Sequence, residues 1–291
     1  MLSAEEARTL QRLVLLGGGT ASGAGSGSRH ARSRGLGSEF HDYRRYQPGD
    51  DPRTIDWTVE ARLRQLVVRV CQAEGHLRVH LLVDVSGSMA VGTPSKLACA
   101  SKVAAALCYL AIERRDSVGI ATFDDAIRTH LRPATGRHQV FRVFDVLRHA
   151  APAGRSRIDR ALTDFTRRAR EGGMAIVLSD FFQRDGVLDG LRYLRSSGLA
   201  LAVLQIVAPE ELRPSIVGEV ELADIEDPAT PAVTVDRAAV SAYQQRVSQT
   251  SAALAAFCAE RGMPWAQVQS STSFEGLVEA CVKARILGGH A

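Results

Sequence analysis

The sequence predicts an α/β fold of three layers, in which a mostly parallel central sheet lies between helices and an N-terminal arm precedes it. Three observations support this. First, the runs Leu81-Leu82-Val83, Ala175 to Leu178 and Ala200 to Val207 are short and continuously apolar, as strands buried on both faces are. Second, helical stretches alternate with them, which is the order of a parallel sheet covered on both sides. Third, the composition changes near residue 65, from a polar segment dense in alternating acids and bases to this strand–helix pattern.

In chain order, Ala4 to Leu16 has the helical spacing of Leu10, Leu13 and Leu16. Gly17 to Ser28 is a Gly/Ser linker by composition. A phosphate cradle would need Gly-Lys-Ser/Thr between a strand and a helix; here Arg29 follows Ser28 and no strand precedes. Residues 29–65 form the arm, either extended and solvated or an ion-paired collar anchored by Tyr43, Tyr46 and Trp57. The α/β domain is expected over 66–291, leaving 1–28 as helix and linker. Its strands are expected at Leu66 to Cys71, Arg78 to Asp84, Ser117 to Phe123, Ala126 to Leu131, Ala175 to Leu178, Ala200 to Val207 and Trp265 to Val268. Its helices are expected at Ser95 to Arg114, Val140 to His149, Asp159 to Arg170, Leu188 to Ser196, Ala238 to Arg261 and Phe274 to Leu287. A polar hairpin over Glu219 to Asp236 turns near Asp227-Pro228.

Bulk properties narrow the function classes. The chain has 291 residues, a net charge of +4, 45% hydrophobic residues and 23% charged residues, ordinary values for a globular protein with no bias toward nucleic acid. Five cysteines without CxxC spacing argue against a zinc or redox pair. With no secretory signal, they fit a reducing cytoplasm. No apolar run reaches the roughly 18 residues of a membrane span.

In an open parallel sheet, ligands bind at the carboxyl ends of the strands, and three polar clusters fall there. Asp84, Ser86 and Ser88 follow the strand at Leu81, with residues i, i+2 and i+4 able to face one point and Gly87 closing the turn. Ser179-Asp180 follows the strand at Ala175. Ser156 sits in the loop Gly154 to Asp159. Oxygen ligands with few carboxylates suit a hard cation, Mg²⁺ first and Mn²⁺ or Ca²⁺ as alternatives; without nearby His or Cys, zinc is disfavoured. Two carboxylates and three hydroxyls leave a coordination position for a partner's Asp or Glu.

Asp84-Val85-Ser86-Gly87-Ser88 after an apolar strand resembles the metal-ion-dependent adhesion site of von Willebrand factor A domains, which have a Rossmann-type sheet. The resemblance implies a later Asp, matched by Asp180, and a Thr, where this chain has Ser156. The arm, from Ser38-Glu39-Phe40-His41-Asp42-Tyr43-Arg44-Arg45-Tyr46 through Ile55-Asp56-Trp57 to Ala61-Arg62, is similar to the signature of the bacterial domain-of-unknown-function family fifty-eight. That resemblance implies a von Willebrand A-like domain and a partnership with MoxR-type AAA+ ATPases, hence a non-enzymatic, cytoplasmic interaction module working as adaptor or co-chaperone.

Other readings compete. Asp84-x-Ser-x-Ser is also compatible with a capped strand-to-helix turn that holds no metal. A haloacid-dehalogenase-like, Mg-dependent phosphotransferase also places an Asp after its first strand, and Asp180 with Asp185 would supply its later acids. Its phosphatase members need a second acid at the position of Ser86. A serine hydrolase at Ser86 lacks the first glycine of its motif and an evident His partner. Asp124-Asp125 reads as a hairpin turn, Arg167, Arg168 and Arg170 as a solvated helix face, and Trp57 and Trp265 as core anchors.

Overall fold

The structure, a computed structural model, describes residues 4–10, 13–15, 39–47, 52, 55–72, 76–169, 172–183, 185–214, 220–222, 233–235 and 237–289. The chain forms two compact units, Gly25–His76 and Met1–Ala24 with Leu77–Ala291. The Gly/Ser linker from Gly17 to Ser28 and the hairpin tip at Asp227-Pro228 lie outside the described residues.

In the smaller unit, a strand at Glu39–Arg45 pairs antiparallel with one at Val67–Gln72, with a register shift between Phe40 and Asp42. A helix at Trp57–Leu63 lies between them in the chain. Asp56 caps that helix, accepting from the Thr58 and Val59 amides at 3.0 and 3.4 Å. The Tyr43 hydroxyl donates to the other Asp56 oxygen at 2.9 Å, and the Asp56 amide donates to the Val67 carbonyl at 3.0 Å. Two residues of the arm signature, Tyr43 and Asp56, therefore fasten strand to helix. The strand expected to open the α/β domain at Leu66 belongs to this hairpin instead, because its hydrogen-bonding edge is taken up by Glu39–Arg45. Trp57, expected as a core anchor, is 61% exposed, because it opens a helix none of whose residues is buried.

The larger unit has a six-stranded sheet. Its strands are β1 (Arg78–Asp84), β2 (Ser117–Phe123), β3 (Ile127–Ala134), β4 (Met174–Ser179), β5 (Ala200–Val207) and β6 (Trp265–Gln269). The spatial order is β6-β5-β4-β1-β2-β3, with every pair parallel except β2 and β3. Helices α1 (Lys96–Glu113), α2 (Arg137–His149) and α6 (Phe274–Lys283) contribute to one core, and α3 (Ile158–Arg168), α4 (Val187–Ser196) and α5 (Arg237–Glu260) to the other. The strands supply both cores by alternation: Leu81, Val83, Ile176 and Leu178 face the first, Leu82, Ala175 and Val177 the second. This is the expected three-layer α/β architecture. Ser95 starts α1 by accepting from the Ala98 amide at 3.2 Å. Small residues such as Ala100, Ala104 and Cys108, fully buried, let α1 lie close to the sheet.

The two ends of this unit differ from the sequence expectation. The N-terminal helix stops at Leu10, and Leu13–Leu15 is a strand paired antiparallel with Leu287–Gly289. Leu287 therefore leaves the closing helix, which ends at Lys283. Mutual backbone pairing of two short apolar ends outweighs the weak helical preference of either. The polar hairpin forms as expected, Val220–Leu222 against Val233–Val235. Trp265 packs against the second core. Burial pushes the thiols of Cys99 to about 11 and of Cys108, Cys258 and Cys281 to about 12, so these cysteines act as apolar packing. Among the described residues no helix is long and apolar enough to cross a membrane.

Gly190 sets the contact between α3 and α4. A Cβ there would stand 2.9 Å from the Asp159 Cα and 3.3 Å from the Ile158 carbonyl oxygen, backbone atoms that cannot turn aside. Gly190→Ala is expected to cost about 1–3 kcal/mol by overpacking, measured as a lower midpoint in urea unfolding. Gly198, whose Cβ would meet nothing within 4 Å, serves as the control for strain without crowding, since both substitutions remove glycine but only Gly190→Ala creates a backbone collision.

Candidate metal centre

The sheet order reverses between β1 and β4: the chain leaves β1 toward β2 and β3, then returns to place β4 on the other flank. Side chains at the carboxyl ends of these two strands thus face one crevice. Val83 is in register with Leu178, so Asp84 and Ser179 emerge at the same level.

Asp84 and Ser86 are fully buried, and Ser88 is half-buried. One Asp84 carboxylate oxygen accepts from the Ser86 amide at 2.8 Å and the other from the Ser179 hydroxyl at 2.6 Å. The Ser86 and Ser88 hydroxyl oxygens are 3.2 Å apart. Burial, with the negative charge of Asp180 second, raises the Asp84 carboxyl to about 7, against the lowering effect of those Ser179 and Ser86 hydrogen bonds. Ser179 itself accepts from the Phe181 amide at 3.0 Å. Phe181 is buried at a φ of 58°, a left-handed conformation costing about 1–2 kcal/mol for a side chain of this kind. That turn brings the Phe182 amide back to an Asp180 oxygen at 3.1 Å.

Asp180, 2% exposed, meets a cation that was not expected from sequence. The Lys96 ammonium, fully buried at the start of α1, donates to the second Asp180 oxygen at 2.6 Å and to Glu211. Glu211 also accepts from the Ala208 amide at 2.8 Å, within the short helix Pro209–Leu212 that follows β5. Burial pulls the Lys96 pKa down, but Asp180 and Glu211 outweigh it and hold the ammonium above its usual value. Burial likewise raises Glu211 against the pull of Lys96. Gln205 donates to the Asp180 backbone carbonyl at 3.0 Å, fixing the crevice from β5.

Ser156 reaches the same end of the sheet through its loop. The Gly87 amide donates to the Gly154 carbonyl at 2.9 Å, and the Ala153 amide to the Val85 carbonyl at 2.8 Å. These bonds fasten the Ser156 loop directly to the Asp84 turn. Asp124 supports it from the other side. Its backbone carbonyl accepts from the Arg157 amide at 3.1 Å, and its carboxylate accepts from Arg128 at 2.6 Å. The Arg128 bond and the Ala126 amide outweigh burial and hold Asp124 below the usual carboxylate range. Gly154, at φ +74°, is required here, because a Cβ would stand 2.8 Å from an Asp124 oxygen. Gln183 closes the ring of loops: it accepts from the Ile158 amide at 2.7 Å and donates to Asp159 at 3.1 Å.

Asp84, Ser86, Ser88, Ser179 and Asp180 are thus brought together, and the Ser156 loop is held alongside. Asp185 is not part of the group: it is exposed and lines a separate groove with Phe182, Tyr243 and Arg246. Among the described residues no three His, Cys, Asp or Glu side chains group to hold a metal ion; a metal here depends on hydroxyl oxygens. The donor set fits a hard divalent cation. Asp180 and Glu211 share one ammonium and Asp84 lies beside Asp180, an excess of negative charge that a dication neutralises. Both Asp180 oxygens already have partners, which suits contact through water. The haloacid-dehalogenase-like alternative would need an acid where Ser86 stands.

Sequence reasoning missed Lys96, Glu211, Asp124 and Gln183 as members of the site. Lys96 did leave a signal: it is a cation in the first turn of a helix, where the dipole disfavours it, so a compensating anion was required. Lys96→Met is expected to leave Asp180 and Glu211 buried without a counter-ion, costing about 3–5 kcal/mol of unfolding free energy. Adding Glu211→Gln to that variant restores part of the loss in the same denaturation experiment.

The chain is 31% identical over 230 residues to the uncharacterized protein Rv1480 of Mycobacterium tuberculosis and to the uncharacterized protein Mb1516 of Mycobacterium bovis, an alignment covering 74% of this chain and 72% of theirs. Among solved structures it is similar to the conserved hypothetical protein BatB from Bacteroides thetaiotaomicron, at 17% identity and a TM-score of 0.45, over 72% of this chain and 98% of that one. It is also similar to an aerotolerance-related membrane protein from Bacteroides fragilis, at 18% identity and a TM-score of 0.46, over 71% and 99%. Residues 42–253 match the family described as protein of unknown function DUF58, and the chain belongs to that family.

Proposed function

We propose that this protein is a metal-dependent protein-interaction module, working in the cytoplasm as adaptor or co-chaperone with a MoxR-type AAA+ ATPase, and not an enzyme. The observation that carries the reading is the crevice itself. Asp84, Ser86, Ser88, Ser179 and Asp180 converge where the sheet order reverses, and two acids there, Asp180 and Glu211, share one ammonium. In this reading Asp84, Ser86 and Ser88 hold Mg²⁺, with Mn²⁺ or Ca²⁺ as substitutes, while Ser156 and Asp180 contribute directly or through water. The bound ion would act as a Lewis acid toward a carboxylate oxygen of a partner protein. The chain's own residues do the rest. Lys96 and the Phe182 amide hold Asp180 in one orientation, Ser179 orients Asp84, and the burial of both carboxylates keeps the dielectric low. Family membership and the arm signature support the ATPase as partner.

The raised Asp84 carboxyl sets a pH dependence. The fold favours its protonated form, so without metal its contribution to stability is largest below the ordinary aspartate value of 3.8 and is lost as pH rises to about 7. Above that point the proton no longer competes with a cation. MgCl₂ is therefore expected to raise the melting temperature more at pH 8 than at pH 5.5, and Asp84→Asn to abolish the difference, as followed by differential scanning fluorimetry. Equal Mg²⁺ effects in wild type and Asp84→Asn overturn the metal assignment. For the partner, co-purification of wild type and Asp84→Ala with a MoxR-type AAA+ ATPase, each with and without chelator, is expected to show retention only for wild type with Mg²⁺. Retention that ignores both substitution and chelator removes the metal from the interaction.

A further inference from the structure

The six-stranded sheet has two edges, and they are built differently. At one edge, β3 carries Arg128 and Arg132, includes Pro133, which has no N–H to offer, and meets β2 with two register shifts. Charge, proline and irregular pairing keep a free edge from taking up another strand. At the other edge, β6 reads Trp265-Ala266-Gln267-Val268-Gln269, with no charge, no proline and an unbroken register against β5. The Val203 amide donates to the Pro264 carbonyl at 2.9 Å and the Ser270 amide to the Val207 carbonyl at 2.8 Å. In this parallel register the backbone groups of Ala266 and Val268 also turn toward β5, and those of Trp265, Gln267 and Gln269 point outward. Of these outward groups, only the Gln269 carbonyl has a partner among the described residues, the Thr272 amide at 3.0 Å. The side chains of Gln267 and Gln269 are exposed. A row of free backbone donors and acceptors selects its occupant by geometry, and that occupant is another extended strand.

We infer that two copies of this chain join edge to edge through β6, antiparallel across a two-fold axis at Gln267. Charge selects a second copy as the occupant. A two-fold interface sets each residue against its own image or that of a near neighbour, so a charged edge would repel itself. Neither β6 nor the cavity of about 340 Å³ between β6 and α5 has a charged side chain. In the antiparallel register each Gln267 exchanges both backbone bonds with Gln267 of the second copy, and each Gln269 amide donates to the Trp265 carbonyl of the other. On the α5 face the two Gln267 side chains lie side by side, each held by donating to its own Ser251 at 3.0 Å. Gln269 of the second copy falls beside Trp265, at the cavity, where the small Ser248, Ala252 and Ala255 leave it room. The guarded edge then decides the size of the assembly. The joined sheet ends on β3 at both sides, so growth closes at two copies instead of continuing as a filament. Because the paired strands run in opposite directions, the two crevices at Asp84 open at opposite ends of the joined sheet.

The test is the mass of the full-length protein by light scattering over a range of concentrations, with hydrogen exchange followed at β6. Wild type is expected as a dimer that dissociates on dilution, with the Gln267 and Gln269 amides protected in the dimer and exchanging rapidly in the monomer. Gln267→Lys and Gln267→Glu each set like charges across the axis and are expected to weaken the dimer about tenfold or more, while an equimolar mixture of the two restores it. Gln267→Pro removes the N–H at the axis and no bond to β5, and is expected to be monomeric with the far-ultraviolet circular dichroism of wild type. Restoration by the mixture separates a lost interface from a lost fold. A wild type that stays monomeric, a dimer indifferent to these variants, a mixture that stays monomeric, β6 amides that exchange rapidly in the dimer, or assemblies that keep growing with concentration overturn the proposal. Because none of these substitutions touches the crevice at Asp84, failure here leaves the metal reading standing, and failure of Mg²⁺ binding leaves this one standing.

Discussion

Burying a single carboxylate is costly, and this fold buries two beside each other, Asp84 at the end of β1 and Asp180 just beyond β4. The arrangement holds because every charged oxygen has a partner. Asp84 is supplied by the Ser86 amide and the Ser179 hydroxyl, Asp180 by the Phe182 amide and the Lys96 ammonium. Lys96 is the hinge of the electrostatics. Fully buried and shared between Asp180 and Glu211, it sets one positive charge against two carboxylates and so leaves the crevice negative. Its negative charge is built from oxygen groups alone, without His or Cys.

Around this centre the loops are fastened to one another rather than to the sheet alone. Backbone bonds from Gly87 and Ala153 tie the Asp84 turn to the Ser156 loop, and Gln183 ties the loop after Asp180 to the start of α3. Asp124 and Arg128 brace the Ser156 loop from the β2–β3 hairpin. The consequence is preorganisation: the hydroxyls of Ser86 and Ser88 and the carboxylate of Asp84 hold their positions through a ring of contacts, so little ordering remains to be done on binding. The left-handed backbone at Phe181 is part of the same design, because only that turn returns the Phe182 amide to Asp180.

Within the larger unit the crevice is oxygen-lined and anionic. Helix α2 leads directly into the loop that carries Ser156, so the helix that covers one face of the sheet also delivers a loop to its carboxyl edge.

Period and position in the sequence were enough to determine the sheet strands, the helices between them and the placement of Asp84, Ser86, Ser88, Ser156 and Asp180 at one edge. Continuous apolar runs report burial on both faces, and a parallel sheet exposes its carboxyl ends in one crevice whatever the details. The arm was legible as a motif, but its architecture was not: the strand at Val67–Gln72 has an apolar run that fits either unit, and only its pairing with Glu39–Arg45 assigns it. Leu13–Leu15 and Leu287–Gly289 were likewise ambiguous until they met. The partners of the site, Lys96, Glu211, Asp124 and Gln183, come from segments far apart in the chain, and no local pattern relates them. Local spacing determines which side chains stand at the end of a strand; which buried charge neutralises which, and so whether the site is anionic, is decided only when distant elements share one low-dielectric space.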